Sequence, residues 1–334
     1  MSTPSPVSAS SSSSQWWRGL SFVLLATLAL SCQNVIARIA QSSKVLPVLG
    51  GIFSLGGYIS PDASKLHVSL LVLLLRVSFV VPLLWLLLPV IKKGAWSEAK
   101  EVIQGGDRSL QWRIVVAGLL LFTSQTSIYL AIANIGPATA VTIFFIYPTV
   151  TTLLAWRLFG DRPSWQQWLA IVLIYTGCTW LAFSAPNASF KTDYLGIGEA
   201  VISGIVFALE GIIAQTCFNK INPATFTGMI FAIEWLALLA VTIPFVPLNI
   251  NGGLLLMGAL LSLATLSGYL FNNFGIKNIG AASTAIIGSS GPAVTAILAL
   301  GILGDSLQGQ QWLSILLVTS GVLLMNLAKI LKRP

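Results

Sequence analysis

Long, uninterrupted apolar runs constrain this chain more than any other feature of its sequence. Val68–Ile91, Ile114–Ala133 and Leu254–Ile276 are three of them. Each is long enough for a helix to cross a bilayer, since about 20 helical residues span the roughly 30 Å hydrocarbon layer. Charged residues make up only 8% of the chain, too few for the surface of a soluble domain, which is about 25% charged. The sequence therefore predicts an all-α polytopic membrane protein.

Ten predicted transmembrane helices follow from the Pro, Gly and charged residues that separate these runs. In the first half they cover residues 18–40, 67–91, 112–134, 138–159 and 164–184, and in the second half 194–219, 223–247, 252–276, 280–303 and 311–331. Residues 1–17, rich in Ser and Pro, are predicted to be a disordered cytoplasmic tail. Residues 18–184 are expected to form a first five-helix unit with a long external connection over 41–66. Residues 194–331 are expected to form the second unit.

The distribution of Lys and Arg predicts the orientation of these helices. With the N-terminus in the cytoplasm, four cations (Arg38, Lys44, Lys65 and Lys191) face the other side and thirteen face the cytoplasm, while Arg76 lies inside a helix. Short loops rich in Lys and Arg remain cytoplasmic. We therefore expect both termini in the cytoplasm and the protein in the plasma (inner) membrane.

A duplicated segment relates the two halves. Residues 135–181 and 279–325 are identical at 18 of 47 positions without a gap, and the identities include Pro, Gly, Asp, Gln and Trp. Because five helices per half is an odd number, the second half is predicted to run through the membrane upside down. Arg157 and Arg162 of the first copy then face the cytoplasm, and their counterparts on the outside are not cationic. Such inverted repeats are a recurring plan of secondary transporters.

The two copies share a motif that points to a known family. Each copy has Pro, Gly–Asp, Gln and Gly in order, which are Pro148, Gly160, Asp161, Gln167 and Gly177 in the first copy and Pro292, Gly304, Asp305, Gln311 and Gly321 in the second. A ten-span chain with this paired motif resembles the EamA-type transporters of the drug/metabolite transporter superfamily.

The resemblance implies a basket-shaped bundle of two inverted five-helix repeats. Helices 1–4 and 6–9 would surround a central substrate cavity, and helices 5 and 10 would support it from outside. Members of the family move small organic solutes and often export amino acids or related metabolites. This chain departs from the family in having Asp161 and Asp305 where Glu is common, and in the length of the 41–66 connection.

Three ionisable side chains, Arg76, Glu210 and Glu234, lie deep in predicted helices 2, 6 and 7. Charges at this depth are costly and usually face the protein interior or a wet cavity. We interpret them as candidates for a substrate or proton site. A structural Arg–Glu pair, or a protonated acid bonded to the backbone, is the alternative interpretation.

Other polar side chains at mid-membrane depth extend the candidate substrate path: Gln33, Asn34, Gln125, Tyr129, Asn272 and Asn273. Hydrogen bonding between helices would also explain them, but all lie on helices expected to line the cavity. Asp161 and Asp305 precede helices 5 and 10 and are predicted to cap them.

Two prolines, Pro148 and Pro292, are predicted to lie mid-helix, as hinges at the cavity or as static kinks. Tyr147 belongs to an aromatic wall beside the first proline. Ser289 and Ser290 form a small polar notch beside the second. The apolar segment Val45–Tyr58 is too short to span and is expected to lie at the outer interface or to dip back as a lid.

No catalytic, cofactor or metal site is predicted. The single His67 has no histidine partner, the three cysteines lack metal-ligand spacing, and no phosphate-binding glycine loop is present. The net charge of +8 fits cations collected on one membrane face rather than nucleic-acid binding.

The sequence thus favours a secondary carrier, an exporter or exchanger of a small organic metabolite such as an amino acid, that works by alternating access. Its expected partners are the substrate and membrane lipid, with proton coupling and a homodimer as open alternatives. A non-transporting membrane receptor or scaffold is the competing class of protein.

Overall fold

The computed structural model describes residues 13–40, 42, 45–49, 51–58, 65–135, 140, 143–160, 162–183, 194–244, 250–304 and 309–331. The first half contains α1 (Ser13–Ala40), β1 (Val45–Val48), β2 (Phe53–Gly56), α2 (Lys65–Ile91), α3 (Ala95–Gln104), α4 (Arg108–Ile135), α5 (Tyr147–Phe159) and α6 (Trp165–Phe183). The second half contains α7 (Tyr194–Cys217), α8 (Pro223–Thr242), α9 (Gly252–Ile279), α10 (Ala281–Gly288), α11 (Gly291–Leu303) and α12 (Gly309–Leu331). The described chain is helical as predicted, apart from one short hairpin.

Six described helices are long and apolar enough to cross a membrane, namely α1, α2, α4, α7, α8 and α9. The pair α10 and α11, bent by 40°, would form a seventh span. The helices α6 and α12 are apolar as well. The chain is therefore an integral membrane protein, and its division into ten spans stays a prediction.

The segment expected to be an interfacial stretch or a lid is a β-hairpin, in which β1 pairs antiparallel with β2. At its turn, the backbone N–H of Leu49 donates to the carbonyl oxygen of Ile302, near the end of α11 (2.7 Å). After the hairpin, the carbonyl oxygen of Tyr58 accepts a hydrogen bond from the Asn251 side chain (2.7 Å). Asn251 is also the N-cap of α9. The hairpin thus contacts the start of α9 and the end of α11.

A surface helix that the sequence analysis did not predict, α3, lies between α2 and α4. It buries Ala95 and Ala99 and exposes most of its other residues. The Trp96 indole N–H donates to the carbonyl oxygen of Trp85 (3.2 Å), and the two rings meet edge to face. These contacts hold α3 against the end of α2.

Both prolines predicted to lie mid-helix occupy the first turn of a helix instead. Pro148 follows Tyr147 at the start of α5, and Pro292 follows Gly291 at the start of α11. At the second proline, α10 and α11 are bent by 40°, which fits the interpretation of a kink. Proline lacks a backbone N–H, and the first turn of a helix is where that donor has no intrahelical acceptor.

The two copies of the duplicated segment have the same local structure. The helices α5 and α11 each contain 13 residues, and both of their ends are offset by 144 positions. Each helix ends at a glycine in the left-handed region, Gly160 with φ 75° and Gly304 with φ 68°. A side chain would strain the backbone there, which explains the glycine in both copies.

Contacts between the two halves build the bundle. The most extensive helix pairs are α1 with α9, α4 with α7, and α6 with α12, and α2 also packs on α8. In each pair, one helix comes from residues before 184 and the other from residues after 193. Neither half is therefore packed as an independent domain.

The packing of α6 on α12 is reciprocal. A Cβ atom added at Gly177 would lie 2.8 Å from the carbonyl oxygen of Ser314, and one added at Gly321 would lie 3.0 Å from that of Ala170. The two glycines are 144 positions apart, as are Ala170 and Ser314. Because residue 177 faces 314 while residue 170 faces 321, the two helices run antiparallel.

Candidate functional site

The Arg76 guanidinium is fully buried, with 0% of the residue exposed. It projects from α2 toward α4, where its Nη2 donates to Gln125 Oε1 (3.1 Å) and its Nη1 lies 3.5 Å from the Tyr129 hydroxyl. The guanidinium carbon also lies 5.8 Å from the centre of the Tyr129 ring, within the range of a cation–π contact. Two neighbouring turns of α4 therefore hold the cation.

Glu234 of α8 faces the same cation and is also fully buried. Its Oε1 lies 3.9 Å from Arg76 Nη2, a long separation for an ion pair. Neither Glu234 carboxylate oxygen has a hydrogen-bond partner among the described residues, and the same holds for Arg76 Nε. The two charges attract each other but leave donor and acceptor capacity unused.

Tyr269 of α9 completes this group. The Gln125 side-chain amide donates to the Tyr269 hydroxyl (2.6 Å), and the Phe231 ring packs edge to face on the Tyr269 ring. We call Arg76, Gln125, Tyr129, Glu234 and Tyr269 the core cluster. It joins α2 and α4 of the first half to α8 and α9 of the second.

Glu210 of α7 is a second buried carboxyl, with 3% of the residue exposed. It interacts electrostatically with Glu234 and with Tyr269. Its Oε1 has no hydrogen-bond partner among the described residues. Glu210 is therefore a second buried carboxyl, and it forms no salt bridge in the described structure.

The other predicted polar residues mostly bond between helices. Gln33 Oε1 accepts from the Thr265 hydroxyl (2.7 Å), and Asn34 Nδ2 donates to Thr295 Oγ1 (3.3 Å). A further bond joins α9 to α8, from Asn273 Nδ2 to Thr227 Oγ1 (2.8 Å). Asn272, beside it, is half-buried. These bonds fit the interpretation of the asparagines and Gln33 as links between helices.

The break between α10 and α11 uses the two serines of the predicted notch. The Ser289 hydroxyl donates to the carbonyl oxygen of Ile286 (2.6 Å), and the Ser290 hydroxyl donates to that of Ile287 (2.8 Å). The Ser31 hydroxyl of α1 donates to the carbonyl oxygen of Gly291 (3.0 Å). These three hydroxyls donate to carbonyl oxygens at and beside the break, as expected where polar groups must be satisfied inside a membrane.

An aromatic group faces this break from the first copy. The Tyr147 hydroxyl donates to the carbonyl oxygen of Ala285 (3.2 Å), and the rings of Phe144, Tyr147 and Phe207 pack together. A small cavity lies nearby, lined by Phe145, Pro148, Ile171, Ile174, Tyr175 and Ser289. It shares no residue with the core cluster, and its apolar lining suits packing better than a charged solute.

The predicted caps Asp161 and Asp305 lie outside the described residues. Among the described residues, Ser164 directly precedes α6. Its hydroxyl accepts from the Gln167 N–H (3.3 Å), and the Gln167 side chain accepts from the Ser164 N–H (2.7 Å). This reciprocal capping box satisfies two donors at the helix start.

A second charged group lies at one end of the bundle, away from the core cluster. The Glu98 carboxylate of α3 accepts from Lys92 Nζ (2.8 Å), from the Asn222 N–H (3.0 Å) and from the Thr225 hydroxyl. Partial burial would raise the pKa of the Glu98 carboxyl, but these hydrogen bonds and the Lys92 charge hold its pKa below the usual value. Glu98 thus attaches α3 to the start of α8.

A salt bridge lies at the same end. Asp107, before α4, pairs with Lys220, after α7 (2.6 Å). The hydrogen bond from Lys220, and then that from the Leu110 N–H, lower the pKa of the Asp107 carboxyl. Both partners are about half exposed, so the bridge orients two connections more than it stabilises them.

The structure brings together four residues that the sequence singled out separately: Arg76, Gln125, Tyr129 and Glu234. It adds Tyr269, which the sequence analysis missed. The position of Tyr269, one helical turn before Asn272 and Asn273, could have indicated it, because residues three and four apart share a helix face.

Comparison with known proteins identifies the family. The model of the EamA-like transporter family matches residues 17–183 and, a second time, residues 194–327. The chain belongs to the EamA-like transporter family. Its apolar helices and this membership make it a membrane transporter, as the resemblance of the sequence motif implied.

Two proteins similar to this chain carry transporter names. The chain is 36% identical over 315 residues to "Uncharacterized transporter sll1319" of Synechocystis sp., covering 93% of this chain and 94% of that protein. It is 24% identical over 225 residues to "Uncharacterized transporter YwfM" of Bacillus subtilis, covering 65% and 74%. A crystal structure of a protein matches with a TM-score of 0.68 at 15% identity, covering 96% of this chain and 99% of that chain, which concerns the fold alone.

Proposed function

We propose that this transporter is a secondary carrier that exports or exchanges a small organic metabolite, such as an amino acid or a related compound, by alternating access. The observation that carries the proposal is the core cluster, where a buried cation and a buried carboxylate meet with unused hydrogen-bonding capacity. Leaving buried polar groups unpaired costs about 1–3 kcal/mol each, and more for charges. A substrate that supplies the missing partners would offset this cost.

An amino acid matches the cluster in charge. Its carboxylate would bind Arg76, which offers a planar fork of donors suited to a carboxylate. Its ammonium group would donate to Glu234, whose oxygens have no described donor. Gln125, Tyr129 and Tyr269 would then hold the cation and orient the substrate.

Three observations support two inverted repeats as the moving parts. The family model matches the chain twice. The helices α5 and α11 are equivalent at both ends and at their glycine caps. The reciprocal contact of α6 with α12 is antiparallel. Two copies in opposite orientation can exchange conformations, which opens the central site alternately to each side.

The proposed orientation puts both termini in the cytoplasm of the plasma (inner) membrane. The starts of α1, α4 and α6 then lie on the cytoplasmic side, where the exposed Trp17, Trp112 and Trp165 would meet the lipid headgroups. The connections that carry Glu98, Asp107 and Lys220 would lie on this side too, and the hairpin would lie outside.

Uptake into proteoliposomes tests the proposal. Purified protein is reconstituted and the entry of radiolabelled amino acids is measured beside Glu234→Gln, Arg76→Lys and the exposed control Glu101→Gln. We expect uptake by the parent and by Glu101→Gln, and strongly reduced uptake by the other two variants. Uptake of every amino acid at the rate of empty vesicles would contradict a carrier of this substrate class.

A further inference from the structure

The surface helix α3 has two different faces. Ala95, Ala99 and Val102 are three and four positions apart and share the face that packs on the bundle, and both alanines are buried. Trp96 and Ile103 lie beside this face, yet 57% and 64% of these residues are exposed. The rest of the described chain therefore leaves two bulky apolar side chains of α3 uncovered.

The position of Trp96 places this uncovered face beside lipid. Its indole N–H donates to the carbonyl oxygen of Trp85 (3.2 Å), and the two rings meet edge to face. Trp85 precedes Ile91, the last residue of α2, by six positions, so this contact lies about 9 Å inside the end of a spanning helix. The neighbouring Leu86 and Val90 are 73% and 82% exposed, as expected for side chains that face a bilayer. Trp96 thus lies at the depth where tryptophan meets the membrane boundary.

Two lysines accompany the exposed apolar side chains. Lys100 lies four positions after Trp96, on the same face of α3. Lys93 lies in the turn just before the helix. Both lysines are exposed, and neither has an acidic partner within the described structure. Positive charge and apolar surface are therefore presented together.

The acidic side chains near α3 do not neutralise these lysines. Glu98 pairs with Lys92, and Asp107 pairs with Lys220. Glu101, the remaining acid of α3, directly follows the second lysine and so lies about 100° around the helix from it. The two lysines are left to meet a negative charge from outside the chain.

We propose that α3 is a docking site for anionic phospholipid, in which Lys93 and Lys100 bind the phosphate groups and Trp96 and Ile103 contact the acyl chains. Amphipathic helices with basic and aromatic side chains lie in the plane of the interface, with their apolar face at a depth of about 5–10 Å. The contact between Trp96 and α2 lies at this depth. The site concerns the lipid around the transporter and does not depend on the solute that is moved.

Bound lipid should also stabilise the contact between the two halves. The Glu98 carboxylate of α3 accepts hydrogen bonds from the Asn222 N–H and the Thr225 hydroxyl, at the start of α8. Lipid that holds α3 in place therefore supports a link from the first half to the second. A ligand that binds only the folded protein raises its stability, so anionic lipid should raise the thermal unfolding midpoint.

Thermal unfolding of the full chain in a neutral detergent tests the docking site. The midpoint is measured against rising phosphatidylglycerol, phosphatidylcholine or soluble glycerol phosphate. The proteins are the parent, the double variant Lys93→Gln/Lys100→Gln and the control Lys277→Gln, which changes an exposed lysine near the end of α9. We expect only phosphatidylglycerol to raise the midpoint of the parent and of the control. Because a lysine near an anionic surface contributes roughly fivefold to binding, the double variant should need at least about tenfold more of this lipid.

Three results of this experiment would overturn the proposal. The double variant could respond to phosphatidylglycerol as the parent does, which would place the bound lipid elsewhere. The two lipids could stabilise the parent equally, which would remove the role of charge. Glycerol phosphate could stabilise the parent as much as phosphatidylglycerol does, which would make the lysines a site for free anions.

A fluorescence measurement tests the contact of α3 with the membrane. An environment-sensitive NBD label is attached to Ile103→Cys or to Glu101→Cys, in a chain whose three native cysteines are replaced. Each protein is placed in nanodiscs that contain phosphatidylglycerol and no other protein partner. We expect blue-shifted emission from position 103, because the acyl region is apolar, and water-like emission from position 101. Water-like emission from position 103 would show that α3 does not enter the membrane and would overturn the proposal.

Discussion

Gly177 of α6 and Gly321 of α12 face each other's helices in the same way. Each glycine would bring an added Cβ atom to within 3.0 Å of a backbone carbonyl on the opposite helix, Ser314 in one case and Ala170 in the other. Equivalent residues thus make equivalent contacts, as in a symmetric dimer interface. Here the symmetry relates two segments of one chain.

Replacing either glycine with alanine should destabilise the protein. The new methyl group would press on a backbone carbonyl, which cannot move away as a flexible side chain can, and overpacking of this kind costs about 1–3 kcal/mol. We expect Gly177→Ala and Gly321→Ala to lower the thermal unfolding midpoint in detergent by similar amounts. The comparable losses follow from the reciprocity of the contact.

Gly301→Ala is the matched control for the glycine variants. Gly301 lies in α11, is exposed, and has open space where a Cβ would be. Alanine there should be neutral or stabilise by up to about 1 kcal/mol through helix propensity. If Gly177→Ala unfolds at the same temperature as Gly301→Ala, the close approach of α6 and α12 is not as described.

Exchanging Arg76 for lysine should reduce transport while keeping the positive charge. Lysine lacks the planar fork that bonds Gln125 and faces Tyr129 and Glu234 together. A hydrogen bond to a charged group contributes about 1.5–3 kcal/mol. Since a loss of about 1.4 kcal/mol lowers an affinity tenfold, the initial rate of uptake should fall about tenfold or more. If a folded Arg76→Lys protein transports at the parent rate, the shape of the guanidinium is not needed for transport.

Neutralising Glu98 should remove part of the pH dependence of stability. Its pKa is lowered in the folded protein from a reference of 4.5, so its stabilisation is present above that value and lost as the pH falls through the folded pKa. At pH 7, Glu98→Gln should cost on the order of 1 kcal/mol, reduced by partial exposure. When the pH is lowered from neutral to below 4.5, the thermal unfolding midpoint should fall less for Glu98→Gln than for the parent.

Glu101→Gln is the control for this experiment, because Glu101 is an exposed residue of the same helix. It should follow the parent at every pH. Parallel curves for the parent and Glu98→Gln would show that the hydrogen bonds to Asn222, Thr225 and Lys92 do not depend on the charge of Glu98.

Labelling from one side of the membrane should distinguish the two copies of the repeat. Single cysteines at positions 161 and 305, in a chain whose three native cysteines are replaced, would react with a membrane-impermeant maleimide on opposite faces. Position 161 should be protected in intact cells and position 305 labelled. Labelling of both positions from outside would refute the inverted arrangement and, with it, the alternating-access proposal.

Local sequence was enough to predict several features of the structure. Long apolar runs predicted the six spanning helices, because a bilayer requires helices of that length and composition. The repeated Gly160 and Gly304 marked equivalent helix ends, since the left-handed conformation is a property of one residue. The intramembrane charges Arg76 and Glu234 were recognisable because few other residues at that depth carry charge.

Other features could not be read from local sequence. Mid-helix prolines were expected, but Pro148 and Pro292 lie in the first turns of α5 and α11. At the break in the second copy, the hydroxyls of Ser289, Ser290 and the distant Ser31 donate to nearby carbonyl oxygens, and the contact from Ser31 cannot be read from local sequence. The short helix α3 was missed, since it is too short and too polar to be a membrane span, and its contacts with Trp85 and Asn222 come from other segments of the chain.

The sequence by itself determined that this chain is a membrane protein with a duplicated plan, because hydropathy and repetition are properties of the linear order of residues. The tertiary structure alone decided which polar groups meet. Arg76 and Glu234 are 158 positions apart and lie 3.9 Å from each other, because α2 and α8 come from different halves and pack side by side. The energy of a buried charge depends on its neighbours in space, and the linear sequence does not specify them.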